Sequence, residues 1–132
     1  MSDVLRNKFA TIERCIERIR EDYDEEFRTN YTKQDAVILN IERACQASMD
    51  MAAHLIRARS LPVPQHSREL FTILEEEGIL PEDLAERLRS MVGFRNIAVH
   101  NYTALNIEII EAVVNNHLED FTLLAGLLLR ES

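Results

Sequence analysis

Apolar residues along this chain return at three- and four-residue steps in five stretches, each closed by a polar or proline-bearing break. The first runs from about Asp3 to Phe27. Leu5, Phe9, Ile12, Ile16, Ile19 and Tyr23 alternate steps of four and three, which places a heptad-like seam on one helix face. Arg6, Lys8, Glu13, Glu17, Arg18 and Arg20 fill the opposite side. Such a seam fits either its own bundle or a second chain. Asn30-Tyr31-Thr32 interrupts the pattern, with Thr32 placed to cap a second helix. That second stretch, about Lys33 to Arg59, carries a broad apolar face from Ala36 to Ile56. Its small residues Ala44, Ala47, Ser48, Ala52 and Ala53 let a neighbouring helix come close.

Leu61-Pro62-Val63-Pro64-Gln65-His66 reads as a loop, because proline cannot continue a helix and extends the residue before it. Ser67 then caps a short helix, about Arg68 to Glu77, which turns Leu70, Phe71 and Leu74 inward. Gly78 ends that helix as a left-handed residue would. Pro81-Glu82-Asp83 opens a fourth helix: proline in the first turn, then acids at the positive end of the dipole. It extends to about Val99 with Leu84, Leu88, Met91, Val92 and Val99 on its stripe. Gly93 within it implies close approach of another backbone. Asn106 caps the last helix, with Leu105 and Ile110 placed as a hydrophobic staple, and that helix runs to about Arg130 through His117. The expectation is an all-α, up-and-down bundle of four long helices and one short helix, forming a single domain over residues 1–132.

Composition narrows the class. Apolar residues make up 46% and charged residues 29% of the 132, as in a folded globular protein. The three Gly and three Pro cluster, which favours few long helices over many strands. A net charge of −8 argues against a general nucleic-acid coat and leaves room for a locally basic cleft. Acid gathers at Asp22–Glu26 and Glu75–Glu77, and arginine in the middle third at Arg57, Arg59, Arg68, Arg87, Arg89 and Arg95. Cys15 and Cys45 lie in helical patterns outside any CxxC pair and read as free core thiols. No apolar run approaches the roughly 20 residues of a membrane span, so a cytoplasmic protein is expected.

The candidate chemistry sits in Phe94-Arg95-Asn96-Ile97-Ala98-Val99-His100-Asn101-Tyr102. Imidazole moves protons near neutral pH, and guanidinium stays cationic and forks onto phosphate oxygens. Arg95 and His100 supply one of each, and Asn96 shares a helix face with His100. The pair suits cleavage of RNA without a metal. On one continuous helix Arg95 and His100 stand about 140° apart, and one imidazole does not easily serve as acid and base together. A twofold dimer that faces two copies of the motif answers both difficulties. The spacing alone also fits a surface arginine and a helix-end histidine favoured by the dipole.

The longer string Phe94-Arg95-Asn96-x-x-Val99-His100-x-Tyr102 resembles the signature of the HepT-like branch of the HEPN superfamily. Gln34-Asp35-Ala36, the Pro64 and Ser67 region with Phe71, and Gly78-Ile79-Leu80 look like the same family, over about residues 33–128. The resemblance implies a homodimeric, metal-independent endoribonuclease that acts as the toxin of a toxin–antitoxin pair. Arg95 and His100 would be catalytic and Asn96 auxiliary. The antitoxin would be a minimal nucleotidyltransferase that silences the toxin by adding AMP to Tyr102, in a complex that extends to a higher hetero-oligomer. RNA would be the substrate, with neither cofactor nor metal. Tyr102 also fits an ordinary helix-end aromatic. The other reading is a non-catalytic helical module that dimerises and holds a nucleotidyltransferase. His54, His66 and His117 show no metal-ligand spacing, and His117 reads as a satisfied core or interface histidine. Asp35 either supports the site or begins its helix.

Overall fold

The structure is a computed structural model and describes residues 3–100 and 106–131, leaving aside the side chains of 98–100. Among the described residues there are six α-helices and no strand. They are α1 (Asp3–Asp22), α2 (Tyr31–Ala58), α3 (Ser67–Glu76), α4 (Glu82–His100), α5 (Ile107–Asn116) and α6 (Leu118–Arg130), with a 3₁₀ turn at Phe27–Thr29.

The heptad-like seam of α1 is spent within its own bundle. Leu5, Ile12, Ile16 and Ile19 are buried, and Phe9 and Tyr23 pack against the same core. The helix stops at Asp22, short of the expected Phe27. Five acids crowd this end, where the helix dipole is itself negative. Asp24 offers the backbone an alternative: its Oδ1 accepts from the Glu26 amide at 3.0 Å. The turn folds Phe27 back edge-on to Tyr23, centroids 5.0 Å apart. Buried Gln34 seals it by donating to the carbonyls of Phe27 and Arg28, at 3.0 and 3.2 Å.

Asn30, rather than Thr32, caps α2, its side chain accepting from the Lys33 amide at 3.0 Å. Asparagine ranks above threonine at that position. α2 then runs through the middle of the molecule and packs against α1, α3, α4 and α6. Its small residues Ala44, Ala47, Ser48 and Ala52 are buried at these contacts. α1 and α2 are antiparallel: Lys8 near the start of α1 pairs with Asp50 in the second half of α2 at 3.0 Å. Gly78 ends the α3 connection with a positive φ of 75°, as the sequence suggests.

The last helix departs from expectation. It breaks at His117, whose φ of −126° and ψ of −1° lie between α5 and α6. Asn115 and Asn116 are weak helix formers, and Asn115 donates outward to the Tyr23 hydroxyl at 3.3 Å. Asp120, only 4% exposed, fixes the break. Its Oδ2 lies 3.1 Å from His117 Nδ1, and its Oδ1 accepts from Arg87 Nε of α4 at 3.0 Å. At the other end of α5, Asn106 caps as expected, accepting from the Glu108 amide at 2.7 Å; the staple partner Leu105 lies outside the described residues. Glu111 of α5 ties back to Arg28 and to the Tyr23 hydroxyl at 3.3 Å. These bonds hold the bundle on both sides of the segment 101–105.

The packing sets the cost of two substitutions. A Cβ on Gly93 would stand 2.8 Å from Arg68 Nη2, the flexible tip of an exposed side chain rather than a backbone. Gly93→Ala should therefore be neutral or stabilising by up to about 1 kcal/mol in urea denaturation, from helix propensity alone. A loss of that size would mean that the Arg68 head cannot yield. Asp120→Ala should cost about 2 kcal/mol, because Arg87 and His117 both lose the buried carboxylate that joins them; an unchanged denaturation midpoint would show that the break at His117 holds without it.

Candidate active site

α4 changes character along its length. Leu84, Leu88, Met91 and Val92 are buried, as the stripe predicts, and Phe94 joins them. Beyond Phe94 the helix turns polar: Arg95 is half-buried, and Asn96 and Ile97 are exposed. His100 closes α4. Its side chain and the whole of Tyr102 lie outside the described residues, so of the four predicted site residues Arg95 and Asn96 are placed together.

Among the described residues Arg95 is held by neutral groups. Its Nη2 donates to Gln46 Oε1 of α2 at 2.8 Å, and its Nη1 makes a long contact of 3.4 Å to Asn96 Oδ1. Its Nε is buried with no hydrogen-bond partner among the described residues. The other two arginines of α4 are treated differently. Arg87 lies on the carboxylate of Asp120 at 3.0 Å, and Arg89 on that of Glu75 at 2.9 Å. A carboxylate would cancel the cation as it fixed it; an amide oxygen fixes it and leaves the charge available.

Gln46 is itself oriented. Its Nε2 donates to Asp50 Oδ1 at 2.9 Å, one helical turn on, and Asp50 Oδ2 meets Lys8 Nζ of α1 at 3.0 Å. A relay Lys8–Asp50–Gln46–Arg95 thus runs across three helices. Sequence reasoning assigns Lys8 only to a polar helix face and misses Gln46 altogether. The Gln46–Asp50 spacing of i and i+4 is the available signal; what it serves lies 49 residues away on another helix.

The neighbouring thiol is inert. Burial pushes the Cys45 pKa far up, and the Arg95 charge recovers only part of that shift. Its Sγ sits 4.0 Å from the Met91 carbonyl, a packing contact. Among the described residues no three His, Cys, Asp or Glu side chains gather as a metal would need. Asp35 is exposed on the first part of α2. His117 is tied to Asp120, as a satisfied histidine should be. Among the described residues no helix is long and apolar enough to cross a membrane.

Comparison with known proteins agrees over nearly the full length. The mRNA nuclease HepT of Shewanella oneidensis is 47% identical over 123 residues, 92% of each chain. The solved structure of a tri-AMPylated HEPN toxin from Shewanella oneidensis, in complex with an MNT antitoxin, superposes with a TM-score of 0.94 at 43% identity, covering all of both chains. A toxin–antitoxin crystal structure with AMP-PNP gives a TM-score of 0.92 at 44% identity, covering 97% of this chain and 99% of that one. Residues 11–125 match the ribonuclease HepT-like family, and with an all-helical HEPN fold and the motif arginine in place, the chain belongs to that family.

Proposed function

We propose that this chain is an RNA-cleaving toxin, neutralised when a nucleotidyltransferase antitoxin attaches AMP to it. The observation that carries the reading is Arg95: a guanidinium on the motif helix, positioned by an amide and left cationic, beside two helix-mates that are each neutralised. Kinship with an mRNA nuclease and with a tri-AMPylated toxin supports the activity and its control.

The catalytic residues are Arg95 and His100, with Asn96 auxiliary. The 2′-oxygen of the ribose bonds to phosphorus as its proton leaves, and the bond from phosphorus to the 5′-oxygen breaks as that oxygen gains a proton. Imidazole handles both transfers, and Arg95 carries the extra negative charge on the phosphate oxygens between them. No metal enters this scheme. Two imidazoles are needed for the two transfers, so the working unit is a homodimer with two copies of the motif lining one cleft. Ile97, 46% exposed within the motif itself, offers that second copy an apolar contact.

Tyr102 is the residue modified. It comes two positions after His100, so AMP on its hydroxyl brings phosphate charge and bulk to where the RNA phosphate must bind. The chain acts as one domain over residues 1–132, in the cytoplasm, and assembles with its antitoxin into a larger hetero-oligomer.

The reading is tested by cleavage of total RNA in EDTA, on protein whose mass shows Tyr102 unmodified. Wild type should cleave, and His100→Ala should lose at least about 100-fold in rate. An unmodified dimer that leaves varied RNAs intact would instead support a binding module that holds the nucleotidyltransferase. Gln46→Leu addresses the relay. Because Gln46 is exposed, stability should shift by less than about 0.5 kcal/mol, while kcat/KM falls about tenfold or more as Arg95 loses its anchor. An unchanged kcat/KM would remove Gln46 from the positioning of Arg95.

A further inference from the structure

Outside this site the molecule sorts its surface charge in a way that the fold does not require. Arg14 and Arg18 of α1, with Arg43 of α2, line a groove of about 250 Å³ between the two helices, together with Thr11, Cys15 and buried Asn40. None of the three arginines forms an ion pair among the described residues, although the chain carries a net charge of −8. Glu17, three residues after Arg14, and Glu21, three after Arg18, line the groove on the other side of α1, with Glu13. Arg14 stacks on Arg18 at i and i+4, a like-charge contact along the groove edge that disfavours the helix locally. Burial raises the Cys15 thiol, and the charges of Arg43, Arg14 and Arg18 all pull against it, which places the three cations around one point.

The basic groove also has a direction. Arg43, Gln46 and Asp50 succeed one another along one side of α2 at i, i+3 and i+7. Arg43 is thus one turn, about 4.5 Å of helix rise, from the residue that holds Arg95. An anionic chain with its reacting phosphate on Arg95 meets Arg43 next and then the α1 pair, while the acidic groove behind α1 repels it.

We propose that Arg14, Arg18 and Arg43 bind backbone phosphates of the RNA strand beyond the scissile bond, extending the site along the α1–α2 groove. The inference rests on the ribonuclease reading and adds to it where the substrate lies and why length matters. The groove holds the strand by charge and carries no base-reading element, so affinity grows with RNA length and falls with salt whatever the sequence.

The test is direct binding, which survives any failure of catalysis. Full-length His100→Ala protein is titrated with labelled tetranucleotide and hexadecanucleotide RNAs over a salt series, alone and with Arg14→Ala, Arg18→Ala and Arg43→Ala added. Lengthening the RNA should tighten binding of the parent. The triple variant should lose about tenfold on the hexadecanucleotide, and its salt slope should flatten by about 2, from three contacts of about 0.7 each. Lysine at all three positions should keep the slope, and Arg43→Gln alone should flatten it by about 0.7, a third of the triple variant's change, which guards against a folding defect. Equal affinity and slope for parent and triple variant would overturn the proposal. So would a triple variant that loses capture of the nucleotidyltransferase while binding RNA as before, because the groove would then be a protein-docking face. Absence of RNA cleavage by unmodified wild type would fail the nuclease reading separately, and these titrations would still decide the groove.

Discussion

The packing of α2 against four neighbours is the constraint on which the rest depends. A helix can take so many partners only if its side chains are small where they meet, and Ala44, Ala47, Ser48 and Ala52 meet that condition. The one hydroxyl among them is satisfied internally, Ser48 Oγ donating to the Ala44 carbonyl at 2.8 Å, so no polar group is stranded there. With its inner faces committed to packing, α2 has only an outer edge left for chemistry. That edge carries Arg43, Gln46 and Asp50. The same close approach that builds the core brings Gln46 within reach of Arg95 on one side and Asp50 within reach of Lys8 on the other.

Charge is handled by two distinct rules in this molecule. Where a cation serves the fold, it meets a carboxylate, as Arg87 meets Asp120, Arg89 meets Glu75 and Arg59 meets Glu131. Elsewhere a cation meets an amide or, among the described residues, no carboxylate, as at Arg95 and along the α1–α2 groove where phosphate binding is proposed. The overall acidity is therefore a poor guide to what the protein touches. It averages over a surface whose mainly basic and mainly acidic grooves lie on either side of one helix.

Most of the fold is legible in the sequence, because three- and four-residue periodicity reports burial directly. Leu5, Ile12, Ile16 and Ile19 announce the buried face of α1, and Asn106 and Gly78 announce a start and a stop. The departures fall where a polar side chain outcompetes the helix. Asp24 draws the backbone into a turn before Phe27, and Asp120 fixes a break at His117 that an apolar stripe running through both sides conceals. Gly93 suggests a place for a second backbone and faces the Arg68 guanidinium instead. The proposed site stands in the sequence as a string, from Phe94 to Tyr102, because its members are close in sequence. Its support is not, since nothing in the neighbourhood of Gln46 points to a partner 49 residues on.

That separation has a bearing on when the protein becomes dangerous to the cell that makes it. Arg95 cannot take up its position until α4 has docked on α2, and α6 packs on α1, α2 and α4, so the bundle closes only with its last helix. Contacts so distant along the chain form late in folding, after the entropy of closing the intervening loops has been met. A nascent chain still on the ribosome can form the α1–α2 hairpin, yet it lacks the α6 side of the core that steadies α4. Competence is in this sense a property of the finished chain. Synthesis delivers it all at once, and the interval before closure belongs to whatever partner is already present.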